Sequence, residues 1–155
     1  MEDRAEQLYK EGSDFFKTGH YSEALAACDK AIAINPDYAD AWNNRGWALV
    51  ELGRDTEAVE SFDKGLALNP DDGSAWFIRG AELGILGRPQ EALASFDKSI
   101  AINPDDAYAW NFRGVALHEL GRYSEAVGSY DRALAINPDY TEVKQNRKLA
   151  LKKQT

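Results

Sequence analysis

The feature that most constrains this chain is a strict internal repeat. Asn-Pro recurs as Asn35-Pro36, Asn69-Pro70, Asn103-Pro104 and Asn137-Pro138. Gly12, Gly46, Gly80 and Gly114 keep the same step, as do Gly19, Gly53, Gly87 and Gly121, and Ala24, Ala58, Ala92 and Ala126. These series share one period without insertion or deletion. A unit of this length holds one supersecondary element. Such an element cannot bury its apolar face alone and is stabilised by stacking on its neighbours.

Each unit reads as two helices. In the second unit, Asp37 to Asp40 supply turn and N-cap residues after Pro36. A first helix is predicted from about Ala39 to Leu52, ended by Gly53 in the left-handed conformation. A second helix is predicted to start near Thr56 as its cap, with Glu57 in the first turn, where the helix dipole favours an acid. Ala58, Val59, Phe62 and Leu66 form its apolar stripe. Asn69 and Pro70 end it: Asn tolerates left-handed backbone, and Pro pushes the residue before it out of the helical region. Gly46 and Ala58 lack bulk where the two helices approach, and Trp42 and Phe62 are expected to fill the space on either side.

These residues carry a resemblance. The sequence is similar to the tetratricopeptide repeat (TPR) family, whose pattern places Trp, Leu, Gly, Tyr, Ala, Phe, Ala and Pro at set places in a unit of the same length. The second unit matches with Trp42, Gly46, Leu49, Ala58, Phe62 and Pro70. The third matches with Trp76, Gly80, Leu83, Ala92, Phe96 and Pro104, and the fourth with Trp110, Gly114, Leu117, Ala126, Tyr130, Ala133 and Pro138. The first is looser, with Leu8, Gly12, Phe15, Ala24, Cys28, Ala31 and Pro36. The resemblance implies an all-α fold, a right-handed superhelical solenoid of antiparallel helix hairpins. It implies one domain over 1–155, with repeats at 5–38, 39–72, 73–106 and 107–140. Residues 141–153 read as a capping helix that covers the last apolar face and shows Lys144, Lys148, Lys152 and Lys153 to water.

One departure from the family pattern is systematic. Where Leu is usual three residues after the Trp, this chain has Arg45, Arg79 and Arg113, and Arg147 continues the step. An Asp precedes each of them at one constant separation: Asp29 before Arg45, Asp63 before Arg79, Asp97 before Arg113 and Asp131 before Arg147. The second helix of one unit packs beside the first helix of the next. The spacing therefore predicts a ladder of Asp–Arg pairs, for which the planar guanidinium is well suited.

Catalytic constellations are absent from the pattern. The two histidines, His20 and His118, fall in different units, and no Cys/His cluster has metal-ligand spacing. Cys28 stands alone, which excludes an internal disulfide, and it occupies the place held by Phe62, Phe96 and Tyr130. The glycines are spread at repeat positions and form no phosphate loop. The acids recur with the repeat, whereas a catalytic pair would break it. The expectation is a chain with no enzymatic activity, no cofactor and no metal. A net charge of -8 argues against nucleic acid and anionic membranes and favours neutral or basic partners. No apolar run approaches the roughly 20 residues that span a bilayer, and no signal peptide precedes the repeats, so a cytoplasmic location is expected.

The resemblance also implies a function. First helices in this family line a concave groove that holds proteins or peptides. Carried over by position, the groove residues are Tyr9, Asn43, Asn44, Trp47, Phe77, Ile78, Ala81, Tyr108, Asn111, Phe112, Val115 and His118. The aromatic and aliphatic members would anchor apolar side chains, and the Asn side chains would bond a peptide backbone. A family subset grips a terminal carboxylate with Lys, Asn and Arg. The matching places here hold Tyr9, Ser13, Asn44, Ser74 and Ile78, so a carboxylate clamp is not expected. The alternative is self-association, with the apolar face covered by another copy.

Overall fold

The structure is a computed structural model in which residues 3–154 are described. Met1, Glu2 and Thr155, which include both ends of the expected domain, lie outside them. Among the described residues there are nine α-helices and no strand: α1 (Arg4–Lys17), α2 (Tyr21–Ile34), α3 (Ala39–Glu51), α4 (Asp55–Leu68), α5 (Gly73–Ile85), α6 (Pro89–Ile102), α7 (Ala107–Glu119), α8 (Tyr123–Ile136) and α9 (Thr141–Lys153). The starts of α3, α5, α7 and α9 fall on the predicted repeat step, as do those of α2, α4, α6 and α8. The chain divides into two compact units, Met1–Ala75 and Trp76–Thr155.

Two kinds of turn join the helices. Within each hairpin the backbone closes on a glycine. Gly53 has φ 69°, its N–H donates to the Val50 carbonyl at 3.0 Å, and the Arg54 N–H donates to Leu49 at 2.9 Å. These paired bonds form a Schellman closure. Gly19, Gly87 and Gly121 repeat it with φ between 71° and 79°. A Cβ at any of the four would touch nothing within 4 Å, so glycine is required for its backbone conformation and not for space. Thr56 does not cap α4. Arg54 is the N-cap and makes no side-chain cap bond. Its guanidinium instead forks onto Glu57 at 2.9 and 2.7 Å. Arg88–Glu91 and Arg122–Glu125 repeat the fork, and the hydrogen bond from Arg122 holds the Glu125 carboxyl below its usual range.

Between hairpins the asparagines behave differently from expectation. Asn69 is extended, with φ −137°, and not left-handed. Its Oδ1 accepts from the Asp71 N–H at 3.2 Å, an Asx turn that recurs at Asn35, Asn103 and Asn137. Asn is therefore selected here for its side-chain acceptor. The residue before the next first helix varies. Asp106 caps α7 through Tyr108 and Ala109, whereas Tyr38 offers α3 no cap and stacks on Tyr9 instead.

The hairpin cores are built on small residues facing rings. In the first unit, a Cβ on Gly46 would lie 2.8 Å from the Phe62 ring. In the second, a Cβ on Gly80 would lie 2.7 Å from Phe96, and one on Gly114 would overlap Tyr130. Phe62, Phe96 and Tyr130 are all buried. Trp42 does not share this core. It is half-buried, lies near Arg45, and its indole N–H donates to the Pro36 carbonyl at 2.8 Å. Trp110 does the same with Pro104 and carries the Arg113 and Arg132 guanidinia over its ring, at 5.8 and 5.2 Å.

The arginine series forms more than a ladder. Arg45 donates from Nε to Asp29 at 2.6 Å, Arg113 to Asp97 at 2.7 Å and Arg147 to Asp131 at 2.6 Å. The remaining expected rung joins Asp63 and Arg79, which belong to different units. Each Arg with a helix beyond it also reaches a buried serine through Nη1: Arg45 to Ser61 at 2.6 Å, Arg79 to Ser95 at 2.5 Å and Arg113 to Ser129 at 2.7 Å. The guanidinium of Arg45, and that of Arg113, thus ties its first helix to two second helices. α9 packs through buried Val143 and Ala150 and exposes its lysines. It also exposes Leu149 by 55%, because α9 is a fifth first helix with no second helix after it among the described residues.

Candidate functional site

The first helices carry the expected site residues, taken one unit at a time. In the first unit, α1 and α3 frame a pocket of about 410 Å³ lined by Ser13, Phe16, Asn44 and Trp47. Trp47 meets Phe62 edge-on at 6.0 Å, so its position is set by the hairpin core beneath it. Tyr9 is hydrogen-bonded to Asn44 and stacks on Tyr38 at 5.1 Å. Burial raises the pKa of its phenol, and the charge of Asp40 adds to the effect.

In the second unit the face is apolar. Phe77, Phe96 and Phe112 stack mutually at 5.3 to 5.9 Å. Beside them lies a pocket of about 240 Å³ walled by Ala81, Ile85, Phe112 and Val115. Gly80 and Gly84 lie in the same wall: Gly80 lets the Phe96 ring approach, and Gly84 leaves space that a side chain would fill. Ile85 is 68% exposed and Phe112 37%. Tyr108 is exposed and stacks on Tyr140 at 5.5 Å. Ile78 is half-buried, and His118 packs edge-on against Tyr123 at 5.0 Å.

Two expected groove residues are not on this surface. Asn43 and Asn111 are buried, 4% and 1% exposed. Asn43 donates to Asp72 at 3.1 Å, and its amide oxygen lies against the bare Gly65 backbone. Asn111 accepts from Asn146 at 3.2 Å and is hydrogen-bonded to the Tyr140 hydroxyl. Both amides bond inward, to the segment that follows their own hairpin, so neither is presented to a peptide backbone. The expectation failed because a one-residue change of register moves a helical side chain by about 100°. Asn44 is on the surface and Asn43 is not.

Asn146 and Leu149, absent from the sequence-derived site, join the face through α9. Their signal was available: they lie one repeat step beyond Phe112 and Val115. Among the described residues no group of three or more His, Cys, Asp or Glu could hold a metal ion, and no helix is long and apolar enough to cross a membrane. Burial, with the charge of Asp29 adding to it, pushes the Cys28 thiol up to about 12, which leaves it un-ionised at neutral pH.

Helical hairpins on a fixed step, with an apolar face along their first helices, define an all-α helical-repeat solenoid. The chain belongs to the tetratricopeptide repeat family, which it matches over residues 9–73 and 83–141. It is similar in fold to the MamA protein, with a TM-score of 0.93 at 21% identity, covering 99% of this chain and 84% of MamA. MamA from Desulfovibrio magneticus gives a TM-score of 0.85 at 23% identity, covering 99% and 92%. YrrB gives 0.89 at 22%, covering 92% of this chain and 74% of YrrB. In sequence, it is 46% identical over 46 residues to the uncharacterized protein MJ0572 of Methanocaldococcus jannaschii. That stretch is 30% of this chain and spans about half, 54%, of the relative.

Proposed function

We propose that this chain is a non-catalytic protein-interaction scaffold that binds an extended or helical segment of another protein along its first helices. Apolar anchors make the principal contacts: Trp47 in the first unit, and Ala81, Phe112 and Val115 in the second. Phe77, Ile78 and Tyr108 border the second set, Tyr9 and Asn44 border the first, and His118 flanks Val115. The supporting observation is the exposed apolar wall of the second unit, where Phe112 and Ile85 stand in solvent beside a preformed pocket. Soluble proteins seldom leave such clusters uncovered without a use for them. YrrB, similar in fold, is described as a TPR protein with an unusual peptide-binding site. The places of the family's carboxylate clamp lack its cations, so an internal segment is favoured over a chain terminus.

Panning a random peptide library on the full chain tests this. Selected peptides should carry aromatic or large aliphatic residues, and Phe112→Ala should weaken them about tenfold or more. Peptides that bind Phe112→Ala and Trp47→Ala as well as the parent sink the reading. Light scattering distinguishes self-association: a mass that climbs with concentration, with no peptide selected, favours a second copy as the occupant.

A further inference from the structure

The apolar pocket of the second unit has a neighbour built from the same repeat positions one step along. It holds about 230 Å³ and is lined by Val115, His118, Glu119, Tyr130, Asn146 and Leu149. One repeat step converts Ala81 to Val115 and Val115 to Leu149, so two walls stay apolar. The same step converts Gly84 to His118, Ile85 to Glu119, Phe96 to Tyr130 and Phe112 to Asn146. Four apolar places become polar in one repeat, all lining one cavity. Repeat architecture accounts for the cavity, but it does not account for this change of lining.

Two of the new groups offer acceptors, the Glu119 carboxylate and the Asn146 amide oxygen. Asn146 donates its Nδ2 to Asn111 at 3.2 Å, which fixes the amide and leaves Oδ1 to accept. Glu119 joins no ion pair among the described residues. Tyr130 stays protonated, because burial, then the charges of Glu119 and Glu142, push its phenol up to about 12. Lys152 and Lys153 are exposed at the end of α9 and do not line the cavity.

We propose that this second pocket takes an Arg or Lys side chain of the bound segment, next to the apolar side chain held in the first pocket. The inference rests on the function proposed above. The aliphatic stem would lie along Val115 and Leu149, and the cationic head would meet the Glu119 carboxylate and the Asn146 Oδ1. An anionic or purely apolar side chain would leave those acceptors desolvated and unpaired. Glu119 lines both pockets, so the apolar and basic side chains must be close neighbours on the partner. The net charge of -8 adds a general attraction for basic segments.

Fluorescein-labelled peptides, each with one Phe and one Arg separated by glycine spacers of increasing length, test this by anisotropy against the full chain. Matched peptides replace Arg with citrulline or Glu. At the best spacing the Arg peptide should bind about fivefold tighter than its citrulline partner, with the Glu peptide weakest. The preference should shrink with added salt. Glu119→Gln should abolish it, and because Glu119 is exposed its loss does not threaten the fold. Binding that needs Phe112 but treats Arg and citrulline alike overturns this inference and spares the proposed function. No binding by any Phe peptide overturns both. An Arg preference that survives Glu119→Gln overturns the assignment to this pocket.

Discussion

The hairpin α1–α2 and the hairpin α7–α8 share one geometry and fill it differently. In α7–α8, Gly114 lies flat against the Tyr130 ring, and Arg113 ties Asp97 to the buried Ser129. In α1–α2, Gly12 faces the Cys28 sulfur, the Ala24 carbonyl and the Ala27 methyl with no ring against it, Glu11 stands where the arginine would be, and Ala27 stands where the serine would be. The three replacements belong together. Arginine in this series reaches back to an Asp on the preceding second helix, whereas Glu11 pairs with Arg4 of its own helix at 3.5 Å. Without the arginine, a buried serine in place of Ala27 would lack its partner, and alanine is the sound choice. The α1–α2 hairpin thus keeps the backbone of the repeat while lacking both the arginine and the serine that the arginine would hold.

This contrast can be broken most sharply at the glycines. Gly114→Ala drives a methyl group into the ring of Tyr130, which is 1% exposed. Overpacking of this kind should destabilise by about 3 kcal/mol. Gly12→Ala meets Cys28 Sγ at 3.1 Å, where a shift of a few tenths of an ångström suffices, so about 1 kcal/mol is expected. Urea denaturation of both variants checks the order. Equal losses would mean that the ring does not set the close approach.

Arg113→Ala comes next. It leaves the Ser129 hydroxyl buried without its donor and removes the Asp97 pair, whose Asp is half exposed and so contributes less. A loss of about 2 kcal/mol is expected, most of it from the serine. The Arg113→Ala/Ser129→Ala double variant should recover part of that loss, because the orphaned hydroxyl is gone. Glu11→Ala, at the same place in the first hairpin, should leave the denaturation midpoint where it was.

Much of this architecture could be read from the sequence. Helix starts, the left-handed glycines and the Asp–Arg rungs followed from spacing, since each depends on one backbone or one charge pair. What was missed depended on two partners being known at once. The serines recur as plainly as the arginines, yet a lone buried Ser carries no charge to suggest a partner. Thr56 looked like a cap because capping chemistry is legible one residue at a time, whereas the Arg54–Glu57 fork needs the rotamers of both. On the candidate site, position along the repeat named Trp47 and Phe112, which lie beside pockets on their first helices. Asn43 and Asn111 were misplaced because a polar residue beside a groove position looks like part of the groove until its burial is known.

The difference between the two hairpins also predicts a small effect in alkaline solution. Cys28 and Tyr130 occupy equivalent places, and burial pushes both acids up to about 12, from ordinary values of 9.0 and 10.0. Each is neutral when protonated, so neither affects the balance at neutral pH. Above its ordinary value, each group ionises in the unfolded chain while staying protonated in the folded one. The unfolded state then binds fewer protons, and stability falls with rising pH, by at most about 1.4 kcal/mol per pH unit for each group. The Cys28 contribution begins near pH 9 and the Tyr130 contribution near pH 10, and both level off as pH passes about 12. Denaturation midpoints measured from pH 8 upward should therefore bend down first through the α1–α2 hairpin. Cys28→Ala should remove the early part of the bend and Tyr130→Phe the later part. If Tyr130→Phe instead leaves the curve unchanged, the phenol ionises in the folded protein near its ordinary value and is less sealed than its burial against Gly114 requires.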